Sequence, residues 1–224
     1  MFQDDNFIQG KPGRERVTDF CEKIIEYKKE RILPDSLSFM CQTRVSEVSE
    51  ELLHLMSLAG FRMVSYGVES FSERILKEYQ KGITVNQIDL ALGWTYQAGM
   101  TPFLNIILSS PECTIPDIQS TVDKCVEHLH KGAKIGLSLY LLPFLGADIF
   151  RKPDLIIQTE RTKIPRTGFS FNKQVRVLPF EEKTRDFLGK VLKKTWQKCW
   201  GYSDASIKSE FDLNVLSLLL KEGN

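Results

Sequence analysis

Apolar and polar positions alternate between two periods along the first part of this chain. Val17, Phe20, Ile24, Ile25 and Tyr27 recur near helical spacing with charges between them, which predicts a helix over RVTDFCEKIIEYKKE. SLSFMCQTRV, RMVSYGV, TPFLNIIL and KIGLSLYLL are short apolar runs that predict strands, and MFQ reads as the end of another. Between them lie helical patterns. SEELLHLMSLAG has Glu50 and Glu51 in its first turn and Gly60 at its end, and SERILKEY is shorter. Thr84 with Gln87 forms a capping box that opens a helix running to Gly99, and DIQSTVDKCVEHLHKG closes at Gly132. Such alternation with short connections predicts a parallel sheet, because parallel neighbours need a crossover. The sheet is either open and doubly wound or curved like a barrel.

After Pro143 the pattern changes, so residues 1–150 read as one α/β domain and 151–224 as an extension, irregular and then helical. RKPDLIIQTERTKIPRTGFSFNKQVRVL is broken by Pro153, Pro165 and Gly168. EEKTRDFLGKVLKKTWQKCW and SIKSEFDLNVLSLLLKE are amphipathic. Lys190, Lys193, Lys194 and Lys198 could touch phosphates but read better as a solvated helix face, and Leu213, Leu216, Leu219 and Leu220 read as a packing stripe.

A net charge of +1 over 224 residues gives no reason to expect nucleic acid or an anionic membrane as a partner. The most apolar stretch, LSLYLLPFLGADIF, is interrupted by Pro143 and Gly146 and is too short to span a bilayer. No pattern of a signal peptide is present. Cys21, Cys41, Cys113, Cys125 and Cys199 are scattered, which points to reduced thiols and a cytoplasmic protein. No two share a metal-ligand spacing, and His54, His128 and His130 fall in helical patterns without a partner motif. Spacing alone therefore offers no metal site.

In parallel α/β folds ligands gather at the carboxyl ends of strands. The polar residues there are Asp4, Asp5 and Asn6, then Arg44, then Glu69 and Ser70, then Ser109, Ser110 and Glu112. Ionised carboxylates are pure acceptors, suited to an ammonium group or to ribose hydroxyls. Each residue has a structural alternative: Asp4 or Asp5 as a cap, Asn6 in a turn, Arg44 paired with Glu69. Together, on successive strand ends, they favour a site.

FQDDNF, SEELLHLMSLAGFRMVSYGVESFSERILKEYQKGIT, AGMTPFLNIILSSPECT and LLPFLGADIF resemble, in order and spacing, the later part of the radical SAM core. The likeness is to the branch that often carries a cobalamin-binding domain, and it extends to about Phe150. Its motifs here are the Asp-Asp-Asn-Phe segment, Gly67 to Ser70, Lys81 to Thr84, and Ala98-Gly99. The resemblance implies a partial (β/α) barrel, here lacking its first βα unit, with a mainly helical C-terminal extension. It implies S-adenosylmethionine (SAM) and a [4Fe–4S] cluster as cofactors of the full family, the cluster reducing the sulfonium to release a 5′-deoxyadenosyl radical. By position, Asp4 and Asp5 would lie near the methionine moiety, and Glu69 and Ser70 would face the ribose. Ile107 and its neighbours, Ser109 among them, would pack on adenine, and Arg44 would stand at a rim position fit for a carboxylate or substrate.

Two departures matter. The family binds its cluster through Cys-x3-Cys-x2-Cys upstream of the Asp-Asp segment, and none of the scattered cysteines replaces it. The expectation is that MFQDDN is the family's second strand and that this chain alone holds no cluster. Cobalamin would enter only through a further upstream domain. Where the family tends to read Gly-x-Pro-Gly-Glu-Thr, this chain has Ser109-Ser110-Pro111-Glu112-Cys113-Thr114, which predicts a rebuilt turn; the later Pro-Gly-Thr segment becomes Leu145-Gly146-Ala147. Two functional readings follow: part of an enzyme whose full form cleaves SAM for radical chemistry on a small-molecule substrate, or a non-catalytic partial barrel acting as a binding module. Without a first strand, the exposed edge of the next would self-associate or take a partner. A hydrolase or kinase is discounted, because no Gly-x-Ser-x-Gly elbow or phosphate-binding loop is present.

Overall fold

The computed structural model describes residues 2, 4–142, 148–163, 170–196, 213–214, 216–218 and 220–221. Its contacts group into two units. The first comprises Met1–Glu69, Gln80–Ile106 and Val126–Gly136; the second comprises Ser70–Tyr79, Ile107–Cys125 and Leu137–Asn224.

The elements follow in the order α1 (Gly10–Lys29), β1 (Phe39–Thr43), α2 (Glu50–Ala59), β2 (Phe61–Glu69), α3 (Glu73–Glu78), α4 (Val85–Gln97), β3 (Thr101–Ile107), α5 (Ile115–His130) and β4 (Lys134–Ser138). Then come β5 (Ile157–Lys163), β6 (Ser170–Val177) and α6 (Glu182–Trp196). Strands β1 to β4 form one parallel sheet in sequence order, and among the described residues it does not close into a barrel.

Local chemistry explains the first unit. Helix α1 buries Val17, Cys21 and Ile24, one stripe at helical spacing. Helix α2 starts at Ser49, whose hydroxyl accepts from Leu52 N, and buries Leu52, Leu53, Met56 and Ala59. It ends at Gly60 with φ 111°, where a Cβ would stand 2.6 Å from Leu37 O. Both the conformation and the close approach demand glycine. Helix α4 opens with the full Thr84–Gln87 capping box.

Strand β2 alternates strictly. Val64, Tyr66 and Val68 are fully buried, while Met63, Ser65, Gly67 and Glu69 are half-buried. The buried face lies under helices: the Tyr66 hydroxyl meets Thr95 Oγ1 of α4 at 2.8 Å, and Thr95 donates to Ala91 O at 2.7 Å. A doubly wound sheet would bury both faces and read as continuous apolar runs. Here one face is packed by helices and the other is left half open, which is the arrangement of a barrel wall.

The MFQ end differs from the expected strand. Phe2 N donates to Met40 O at 3.0 Å and Phe7 N to Gln42 O at 2.8 Å, so the segment runs beside β1 and bonds it at two points without regular pairing. Met1 and Gln3 lie outside the described residues. Strand β1 is also shorter than its apolar run, because Val45–Glu47 turn into a 3-10 helix.

In the second unit, the stretch read as irregular holds an antiparallel hairpin, β5 with β6. The breakers Pro165 and Gly168 lie between the strands, outside the described residues. Val177 N also donates to Leu141 O at 3.0 Å. Leu213, Leu216 and Leu220 are buried, as a packing stripe requires. Leu219 and Lys198 lie outside the described residues, as do the segment Pro143–Ala147 and Cys199.

Candidate functional site

The open face of the sheet in the first unit carries a cavity of about 330 Å³. Neighbouring strands meet in register there: Met40 beside Met63, Gln42 beside Ser65, Ser65 beside Phe103, and Gly67 beside Asn105. Met40, Met63 and Phe103 give it an apolar floor, and Gln42, Ser65 and Asn105 add neutral donors and acceptors. Asn105 Nδ2 donates to Ser65 Oγ at 2.9 Å and to Tyr66 O at 3.3 Å, which fixes its amide.

Phe2, Asp4 and Asp5 complete the lining. The bonds of Phe2 and Phe7 to β1 bracket the two aspartates, and Thr43 Oγ1 donates to Asn6 Oδ1 at 3.0 Å. Asn6 therefore anchors the segment, while both aspartates stay exposed beside the cavity. Phe2 stacks on Phe7 with centroids 4.4 Å apart and lies among Phe20, Phe39 and Phe61.

Glu69 ends β2 in the left-handed region, φ 66°, at a register irregularity against β3. Lys81 Nζ lies 3.1 Å from its Oε1. A Cβ on Gly67 would meet that oxygen at 3.0 Å and Lys81 Nζ at 3.6 Å, so the ion pair lies folded over the strand where Gly67 leaves room. The cation that meets Glu69 is thus Lys81, not Arg44. Arg44 is exposed and precedes the 3-10 helix, its carbonyl accepting from Glu47 N at 3.1 Å.

Ser70, Ile107 and Ser109 belong to the second unit. Ser70 is buried, its hydroxyl 3.0 Å from Thr121 Oγ1 and accepting from Ser72 N at 3.1 Å. Ser109 is buried and donates to Leu139 O at 2.7 Å, while Ile107 is half-buried at the end of β3. In the turn after β3 no residue from Ser109 to Cys113 takes a positive φ, so its side chains are carried without left-handed backbone. Ser110 Oγ donates to Glu78 Oε2 at 2.9 Å, and Lys152 bridges Glu78 at 3.0 Å and Glu112 at 3.5 Å. Asp117 accepts from Ser72 Oγ at 2.6 Å, from Thr114 N and Oγ1, and from Arg74. Burial opposes its charge, but these donors outweigh it and hold the carboxyl below its usual range.

Cluster iron needs thiolates. Cys21, Cys41, Cys113 and Cys125 are buried, and burial pushes each thiol up to about 12. Among the described residues no three His, Cys, Asp or Glu side chains form a group able to hold a metal ion. These residues do not fit a cluster. The cavity does fit a cationic nucleoside: carboxylates at its side, amide and hydroxyl groups on its wall, and thioether and aromatic surface on its floor. No described helix is long and apolar enough to cross a membrane.

No protein-family model matches the chain. An uncharacterized methyltransferase of Pyrococcus horikoshii is 29% identical over 121 residues, covering 54% of this chain; the chain spans only 24% of that relative. The radical S-adenosylmethionine methyltransferase TsrM from Kitasatospora setae, solved with tryptophan substrate and a SAM analog, superposes with a TM-score of 0.68 at 16% identity. That match covers 96% of this chain and 48% of TsrM. With cobalamin and a [4Fe–4S] cluster bound, TsrM gives a TM-score of 0.63 at 16% identity, over 97% of this chain and 42% of TsrM. Coproporphyrinogen III oxidase from Escherichia coli, a radical SAM enzyme, gives 0.50 at 13% identity, over 80% of this chain and 37% of that protein. These likenesses and the one-sided parallel sheet agree: the chain has the fold of the radical SAM enzymes.

Proposed function

We propose that this chain is a radical SAM family member whose first unit binds SAM on the open face of the sheet. The observation that carries this reading is the cavity, with Asp4 and Asp5 beside an otherwise uncharged wall. The aspartates accept from the ammonium of the methionine moiety and favour the sulfonium charge, and the thioether and aromatic floor receives the apolar part of the nucleoside. Glu69 accepts from ribose hydroxyls. Bound SAM supplies an activated group at its sulfonium carbon atoms. Reductive cleavage for radical chemistry, and any cobalamin-dependent methyl transfer to a small-molecule substrate, belong to a full enzyme with cluster ligands beyond the described residues.

Calorimetry with S-adenosylhomocysteine and with methylthioadenosine, which lacks the amino-acid part, tests this. Asp4→Asn with Asp5→Asn is expected to weaken the first by roughly 10- to 100-fold, the size of a charge-assisted hydrogen bond, and to leave the second nearly unchanged. Equal losses for both ligands, or no binding to the unaltered chain, refute the reading. The buried neutral thiols favour a second reading, a partial barrel that binds without cleaving. Anaerobic reconstitution giving about four irons per chain would sink that alternative.

A further inference from the structure

The geometry points to Lys81 as a positioning residue that makes Glu69 a reader of neutral hydroxyls, not of cations. This rests on the SAM-binding reading above and assigns a role to a side chain which that reading leaves out.

Three observations converge. Lys81 Nζ holds one carboxylate oxygen, Oε1, at 3.1 Å. Gly67 leaves open the space over the strand into which both groups fold, with Oε1 and Nζ at 3.0 and 3.6 Å from where a Cβ would be. Glu69 itself takes a left-handed backbone, φ 66°, uncommon for a residue with a side chain. A carboxylate on an ordinary extended strand would stand off the sheet on the face set by alternation, with its rotamers unrestrained by a partner. Here the backbone turns it back and the ammonium fixes one oxygen, on the face that carries Ser65 and Asn105.

The pairing also changes what Glu69 selects. A bare carboxylate attracts any cation, but one whose charge is met by an ammonium at hydrogen-bond distance has little left for a second cation. Its other oxygen keeps its lone pairs, and an ionised carboxylate is an acceptor only. A neutral hydroxyl donor is the partner that suits it. Asp4 and Asp5, which line the cavity, have no such cation among the described residues. The two acidic positions therefore divide the work: the aspartates take the charged end of the ligand, and the Lys81-held Glu69 takes a diol.

The test measures the binding of S-adenosylhomocysteine and of its 2′-deoxy analogue to the unaltered chain and to Lys81→Met, Lys81→Arg and Glu69→Gln. The preference for the hydroxylated ligand is expected to be roughly tenfold or more, the size of one hydrogen bond to a charged acceptor. Lys81→Met is expected to collapse that preference toward unity while the melting temperature stays close to that of the unaltered chain. Lys81→Arg, which keeps the charge, retains most of it. A Lys81→Met chain that still discriminates, while Glu69→Gln does not, overturns the inference and leaves the SAM reading standing. Discrimination surviving in Glu69→Gln overturns the inference alone, because the hydroxyls are then read elsewhere, whereas no binding of either ligand overturns the functional reading and the inference together.

Discussion

Replacing Gly136 by alanine separates packing from backbone effects on the open face. A Cβ at this position would stand 2.8 Å from Phe103 Cε1, 3.0 Å from Cζ and 3.4 Å from Asn105 Oδ1. Optimal carbon contacts lie near ~3.5–4.0 Å, so the Phe103 ring must shift by roughly 1 Å. Gly136 has no positive φ, and exchanging glycine for alanine in a strand would otherwise stabilise by about 0.5–1 kcal/mol. The clash predicts the opposite sign, a loss of about 1–3 kcal/mol from overpacking. For a chain of this size that lowers the melting temperature by roughly 2–12 °C. Phe103 also lines the cavity, so a displaced ring is expected to lower ligand affinity as well. Thermal melts of Gly136→Ala, Phe103→Leu and the double variant decide the matter. The double variant is expected to recover part of the loss, with a coupling of about 0.5–3 kcal/mol. A stabilised Gly136→Ala, or strict additivity in the cycle, refutes the argument.

Acid should destabilise the chain in two stages. His128 is buried between Tyr96, whose hydroxyl is 3.2 Å from Nδ1, and Asp89, 3.1 Å from Nε2. Burial lowers its pKa below the usual histidine value despite the Asp89 carboxylate. The unfolded chain therefore takes up a proton first, and stability is lost as pH falls below about 6.5. Asp117, held below its usual range, adds a second loss as pH falls below about 4, absent in Asp117→Asn; denaturant midpoints across pH would show both. The four described cysteines should resist iodoacetamide at pH 8 in the folded state and react after unfolding, because thiols near 12 carry almost no thiolate. Rapid labelling of Cys41 or Cys113 in the native protein would contradict their burial.

Local signals in the sequence foretold local structure. The Thr84–Gln87 box, the Gly60 stop and the αβ alternation each depend on a few neighbouring residues, and each appears in the fold. What the sequence hid depends on faces. Met40, Gln42, Met63, Ser65, Phe103 and Asn105 looked like strand interiors, yet they line the cavity. The usable signal was polar residues at every second position of strands in a parallel sheet, where burial on both faces would exclude them. Asp4 and Asp5 stood out as adjacent carboxylates and line the cavity, whereas the hydroxyls of Ser70 and Ser109 are engaged by Thr121 and Ser72 and by Leu139 O, partners far along the chain or set by a local turn. The β5–β6 pairing rests on alternation in QTERTK and SFNKQVRV, two short runs that Pro153, Pro165 and Gly168 interrupt, so no single window carries its period. Lys81, the partner of Glu69, lies 12 residues along the chain, and their pairing depends on the room that Gly67 leaves over the strand, which no local pattern encodes.

The segment before α1 ties the sheet edge to the candidate site. β1 is an outer strand of the sheet, and the backbone bonds from Phe2 and Phe7 are what cover it. Phe2 is held by stacking on Phe7, Phe39 and Phe61 and by an edge contact with Phe20 at 5.6 Å. Such aromatic pairs contribute about 0.5–1.5 kcal/mol each beyond area burial, enough to order a short segment with few hydrogen bonds. Phe2→Ala removes that anchor and leaves the bonds of Phe7 and Asn6 in place. Asp4 and Asp5 then lose one of their two brackets, and part of the edge opens. Affinity for S-adenosylhomocysteine should fall more than global stability does, and light scattering should report more self-association than for the unaltered chain. Phe20→Ala weakens the same cluster from α1 without touching the segment's own residues, so it should cost stability with a smaller effect on binding. If the two variants change binding and stability in the same proportion, the aromatic cluster is only core, and the aspartates owe their position to something else.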